Sequence, residues 1–364
     1  MICYDSHVDT PSQLLRLRNI GIDNPYAQVD FPKLRRGGVD GAFFALYTPA
    51  EMAPDAATRY ALEMLSATYD AVDALPEGEA AVTFNPEEAA RNKADGIFSV
   101  FLGMENGAPI QGSLSLLRTF FRLGVSYMTL THNGDNLIAD SAAQGKRWGG
   151  LSPFGREVVK EMNAMGMIID LSHSSDATFW DCLKRSKAPI VATHSSCRAL
   201  CSHRRNLTDE MLQALGESGG YVGINFYPSF LSDDFASTPA QAALLDEAEA
   251  VEAAFIACPS DLERVDAWHR MQDKLRELPR PGVREIVDHI DHAVRICGLD
   301  HVGIGSDFDG ILLAPEGLDD ASCMGLVWEE MRRRGYSASQ IEKVSGRNLM
   351  DVFRRVINCS ELVD

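Results

Sequence analysis

Eight short apolar runs recur along this chain, at residues 2–4, 41–47, 97–102, 126–130, 167–170, 190–193, 221–225 and 301–305, with helical patterns between them. They are rich in Val, Ile and Phe and mostly do not alternate with polar residues, as expected of strands covered on both faces. In the gaps, Leu62, Leu65, Tyr69 and Val72 step at helical spacing. So do Phe154, Val158, Met162 and Met165, and again Val283, Ile286, Ile290 and Val294. Pro153 suits a first helical turn and Gly298 a helix stop. Strand–helix alternation predicts right-handed βαβ units and a parallel sheet. Eight repeats predict an α/β fold of the closed (β/α)8 TIM barrel type, with an open doubly wound sheet as the alternative.

The chain has 364 residues, 45 % of them hydrophobic, enough for one barrel domain over 1–364. Residues 231–281 break the rhythm between the seventh and eighth strands: they are rich in Ala, Glu and Asp, and Thr238-Pro239 is placed as a helix cap and first turn. They are expected to form a helical insertion acting as a lid or a subunit contact, the latter in a homodimer. With 34 basic against 52 acidic residues the net charge is −18. That argues against nucleic acid and anionic membrane surfaces as partners, because both need a basic face. No apolar run reaches the roughly 18 residues needed to span a bilayer. The first strand is expected to begin at Ile2, and no secretory leader is expected ahead of it. The eight cysteines are scattered without a C-x-x-C, and Cys197 and Cys201, with His203 nearby, read as free thiols. The expectation is a cytoplasmic protein with reduced cysteines.

The polar residues at the ends of the runs carry the chemistry. His7 and Asp9 stand two apart in Asp5-Ser6-His7-Val8-Asp9, so one extended segment turns an imidazole and a carboxylate to the same face. Glu105 follows the third run, His132 the fourth, His173 the fifth, His194 the sixth and Asp307 the eighth. A barrel gathers its strand C-termini at one mouth, so these residues converge. Imidazoles and carboxylates without thiolates suit Zn2+ or a similar ion. The set exceeds the needs of one catalytic zinc, and two ions bridged by Glu105 are the economical reading. Such a pair acidifies a shared water and yields a metal-bridging hydroxide, hence metal-assisted hydrolysis of an amide or related bond. His203, His269, His289, His292 and His301 read as structural or solvated, and Trp148 as core.

The segments Asp5-Ser6-His7-Val8-Asp9, Gly103-Met104-Glu105-Asn106-Gly107, Thr131-His132-Asn133 and Asp170-Leu171-Ser172-His173 continue with Thr193-His194-Ser195-Ser196, Arg205-Asn206-Leu207 and Gly305-Ser306-Asp307-Phe308-Asp309-Gly310. Together, and in this order, they resemble the membrane dipeptidase (renal dipeptidase) family of zinc peptidases, which belongs to the amidohydrolase-like barrels. The resemblance implies a dipeptidase with two Zn2+ per chain: His7 and Asp9 at one ion, Glu105 bridging, His173 and His194 at the other. It implies that His132 contacts the scissile carbonyl and stabilises the oxyanion, and that Arg205 binds the substrate's terminal carboxylate. It further implies that Asp307 moves a proton from the bridging water to the leaving amine and that Tyr227 lines the substrate pocket. Dipeptides with a C-terminal D-residue are implied among the substrates. The alternative is another barrel hydrolase acting on cyclic amides, or a deaminase. Those usually bridge with a carboxylated Lys after the fourth strand or use one metal, whereas His132 occupies that place here.

Overall fold

The computed structural model describes residues 1–360. Its strands, in chain order, are β1 (Tyr4–Val8), β2 (Gly41–Tyr47), β3 (Ala80–Val82), β4 (Phe98–Glu105), β5 (Val125–Thr129), β6 (Ile168–Asp170), β7 (Ile190–Ala192), β8 (Tyr221–Asn225) and β9 (Val302–Gly305). Eight of them run β1-β2-β4-β5-β6-β7-β8-β9 around a nearly closed (β/α)8 barrel with parallel pairing, and β3 pairs with β4 off this path. Between β9 and β1 the seam is closed by a bridge from Val8 to Phe308 and by two bonds, Asp9 N to Phe308 O (2.9 Å) and Asp307 N to His7 O (3.0 Å). Buried side chains satisfy the backbone groups that this short seam leaves over. Asp5 Oδ1 accepts from Ser306 N at 2.9 Å, and the Ser6 hydroxyl shares its proton between Ile304 O of β9 (2.7 Å) and Thr193 O just after β7 (2.5 Å). The closed ring replaces the doubly wound alternative.

β2 and β4 are buried along their length except at Tyr47, as their unbroken apolar runs require. The run at 2–4 meets β1 only at Tyr4, two residues later than the expected start, and the run at 97–102 covers only the first part of β4; the strands continue through His7 and through Glu105. Polar residues there lie inside the ladder because the end of this barrel is a polar site. The three-residue β3 was not anticipated, being half-buried and paired on one side.

Helices cover the barrel with their apolar stripes. Ser152 caps the helix Pro153–Met165 by accepting from Gly155 N, with Pro153 in the first turn. Ile286, Ile290 and Ala293 of the helix Val283–Cys297 are buried. In the helix Pro54–Asp73 the buried face is Ala57, Ala61, Met64, Leu65, Thr68 and Val72, and Leu62 is exposed. Small alanines allow close approach to the barrel there, and a reading based on large residues misses them. Between β8 and β9 the helices Pro239–Ala257 and Leu262–Arg276 share their own cluster, which includes Phe235, Ala248, Trp268, Met271 and Leu275. Thr238 caps the first of them. All eight cysteines are free thiols. Among the described residues no helix is long and apolar enough to cross a membrane.

Candidate functional site

The C-terminal ends of the strands surround a cavity of about 600 Å3 lined by Asp9, Glu105, His132, His173, Arg205, Tyr227 and Asp307. His7 and His194, fully buried, lie beneath it. All nine residues singled out from the sequence therefore meet at one mouth. Glu105 is the hub. Its Oε1 lies 3.0 Å from His173 Nε2 and 3.5 Å from His194 Nε2, and its Oε2 lies 3.7 Å from His7 Nε2. His7 Nε2 is also 3.4 Å from Asp9 Oδ2 and 3.9 Å from Asp307 Oδ1. Asp9 opens the helix Thr10–Leu14, yet its side chain makes no capping bond, so the carboxylate is free to face the histidines.

Three sets of donor atoms each fall within 4.8 Å of one another: His7, Glu105 and His194; Glu105, His132 and His173; His7, Asp9 and Asp307. His7 Nε2, His194 Nε2 and Asp9 Oδ1 are buried without a hydrogen-bond partner. Buried polar atoms are ordinarily satisfied, so orphaned imidazole nitrogens facing carboxylates fit a divalent cation. The opposite ring nitrogens are held. His7 Nδ1 lies 2.7 Å from Tyr127 Oη, His194 Nδ1 2.8 Å from Thr193 Oγ1, and His173 Nδ1 3.2 Å from Asn133 Oδ1. Thr193 is fixed in turn by Asp170, which accepts from its N and its Oγ1, both at 2.8 Å.

Burial pushes Asp307 up to about 7, helped by the charge of Asp9, and pushes Asp9 up to about 6, helped by Glu105. Burial opposes protonation of His7, but Asp9 and Glu105 outweigh it and raise its pKa. Burial lowers His173 and His194 well below the usual range, and lowers His132 to about 3 with a contribution from Arg205. The centre thus sets neutral imidazoles at His132, His173 and His194 beside crowded carboxylates that drive a proton onto His7, and a metal dication would take the place of that proton.

Other cavity residues escaped the sequence reading. Tyr47, at the end of β2, packs edge-on against His132 with 4.7 Å between ring centroids. His203, expected to be structural or solvated, lines the cavity and lies over Phe230 at 4.5 Å. Arg16 and Glu252 complete the rim. A run-end position was the available signal for Tyr47; His203 sits in a loop with no periodic pattern. Trp148 is neither core nor cavity lining: it is 37 % exposed and its Nε1 donates to Asn136 O at 2.8 Å.

Comparison with known proteins places this geometry. The sequence profile of the family described as membrane dipeptidase (peptidase family M19) matches residues 1–363. An uncharacterized dipeptidase of Schizosaccharomyces pombe is 32 % identical over 374 residues, covering 96 % of this chain and 80 % of the relative. The crystal structure of the probable dipeptidase PvdM from Pseudomonas aeruginosa superposes with a TM-score of 0.84 at 29 % identity, covering 99 % of this chain and 96 % of that one. A metallopeptidase from Rhodobacter sphaeroides, liganded with a phosphinate mimic of the dipeptide L-Ala-D-Ala, has a TM-score of 0.80 at 27 % identity, covering 98 % and 99 %.

Proposed function

Because the chain belongs to the membrane dipeptidase family, peptidase family M19, and is a metallo-dipeptidase, we propose that it holds two Zn2+ and cleaves dipeptides, including those with a C-terminal D-residue, as one barrel domain over 1–364. Glu105 carries the reading. It turns one oxygen to His173 and His194 and the other to His7, a disposition suited to a carboxylate shared by two ions. His7 and Asp9 would hold one ion, and His173 and His194 the other. Held there, two such ions would supply an acidified water and a Lewis acid for the scissile carbonyl.

The side chains around them bind, aim and move protons. Arg205 presents a guanidinium fork to the substrate's terminal carboxylate. Fixing that carboxylate sets the scissile bond one residue away. His132, kept neutral by burial, donates an N–H to the developing oxyanion. Asp307 is aimed by Asn225, whose Nδ2 donates to its Oδ2 at 2.9 Å. It accepts a proton from the attacking water as the C–O bond forms and passes that proton to the nitrogen as the C–N bond breaks. Tyr227 lines the pocket beside Phe230, with 5.1 Å between ring centroids. The bound L-Ala-D-Ala mimic in the Rhodobacter sphaeroides relative supports acceptance of a D-residue.

Metal content per chain, measured with a panel of L,L- and L,D-dipeptides assayed against cyclic amides, tests the proposal. Two zinc equivalents and amine release from both dipeptide classes are expected. One equivalent would remove Glu105 as a bridge. Turnover of cyclic amides alone would place the substrate class elsewhere.

A further inference from the structure

Under the cavity, one buried hydroxyl touches the candidate centre without facing the substrate. Tyr127, in the middle of β5, is 1 % exposed and does not line the cavity, and its Oη lies 2.7 Å from His7 Nδ1. Its ring is wedged in place. It packs on Phe43 at 5.4 Å between centroids, and Gly103 on β4 leaves room for it. A Cβ at position 103 would come within 2.1 Å of Tyr127 Cζ.

His7 can give Nε2 to a metal only when its proton sits on Nδ1. A buried N–H then needs an acceptor. Thr193 and Asn133 stand in this place for His194 and His173, and for His7 Nδ1 the only group within hydrogen-bond reach among the described residues is the phenol oxygen of Tyr127. On the basis of the two-ion reading above, we propose that Tyr127 is a positioning residue for the ion held by His7 and Asp9. Its Oη accepts a hydrogen bond from Nδ1–H, which fixes the tautomer and the ring plane and leaves Nε2 facing Asp9 and Glu105.

Tyr127→Phe removes the hydroxyl alone. Tyr221→Phe is the control: its hydroxyl is equally buried in the barrel interior, but its partners are Ile304 O (3.2 Å) and Ser6 Oγ (3.5 Å), with no histidine among them. Stepwise zinc affinity is measured by competition with a chromophoric chelator, and the visible absorption of the Co2+-substituted protein reports the ligand field. Tyr127→Phe should weaken one of the two ions by roughly 10- to 100-fold and alter the Co2+ spectrum, while Tyr221→Phe keeps both affinities. Equal losses in the two variants, or wild-type affinity and spectrum in Tyr127→Phe, would overturn the role. If the wild-type protein binds two ions and Tyr127→Phe is unaffected, only this role fails. If the wild-type protein binds fewer than two, the two-ion reading fails and takes this role with it.

Discussion

Replacing Arg205 by Met tests how the substrate is held. The side chain is 6 % exposed, and burial lowers its pKa to about 10. Its protein partners are few: Nη1 reaches Ser195 Oγ at 3.4 Å, Nη2 reaches His194 O at 3.2 Å, and Nε has none. A buried guanidinium with donors to spare is a seat for an anion. Two charge-assisted bonds to a carboxylate contribute about 1.5–3 kcal/mol each. After the cost of desolvating the carboxylate, about 3 kcal/mol remains, or roughly two orders of magnitude in kcat/KM. Amidating the substrate's C-terminus removes the other partner, so enzyme and substrate form a double-change cycle. Each change alone should lower kcat/KM by roughly two orders of magnitude. Together they should cost little more than Arg205→Met alone, because the amidated substrate has no guanidinium left to lose. Steady-state amine release from free and amidated dipeptides, with both proteins, measures all four corners. Any displacement of His194 caused by the substitution affects both substrates and cancels. If amidation costs the wild type and Arg205→Met equally, Arg205 does not bind the carboxylate and the reasoning is refuted.

Asp307→Asn should lower kcat by roughly two to four orders of magnitude while metal content stays at the wild-type level; undiminished turnover would remove Asp307 from proton transfer. His289 gives a stability prediction away from the site. It is buried, Cys197 N donates to its Nδ1 at 3.0 Å, its Nε2 bonds Leu231 O at 3.1 Å, and burial lowers its pKa from 6.5 to about 4. Below 6.5 the unfolded chain takes up a proton that the folded one refuses, so this contribution is whole above pH 6.5 and is lost as pH falls toward 4. The loss amounts to about 3 kcal/mol, seen as a falling urea midpoint that is shallower in His289→Gln. Parallel curves for the two proteins would contradict it.

The barrel was legible because strands buried on both faces write unbroken apolar runs, and this chain repeats them between helical patterns. β3 was not, since three half-buried residues paired on one side leave no run to see. The site was legible where chemistry-bearing residue types end those runs: His7, Asp9, Glu105, His132, His173, His194 and Asp307 all reach the same mouth. Tyr127 was hidden in plain view. A phenol inside an apolar run reads as a strand-forming residue, and only contact with a histidine 120 positions away gives it a different role. Tyr47 and His203 likewise become cavity residues only when folding brings other rim elements around them.

Strand register alone does not account for how the mouth is aimed. Seven non-glycine residues among those described have positive φ, and four of them are Asn106, His173, Asp307 and Asp309, at 80°, 65°, 62° and 68°. The left-handed region costs an L-residue roughly 1–2 kcal/mol, least for the Asn, Asp and His types found here. Each of the four follows the end of a strand by a few residues. A strand that continued would send alternate side chains away from the mouth. A left-handed residue breaks that alternation and folds the chain back over the rim. Gly310 shows how closely: a Cβ there would lie 2.0 Å from Asp9 Oδ2 and 2.8 Å from Asp307 Oδ1, so bare backbone packs on two carboxylates. Strain of this kind persists only where the surroundings over-determine it, and here the surroundings are the candidate centre. The strands bring the donors to one ring, and the strained turns after β6 and β9 set the direction in which His173 and Asp307 face.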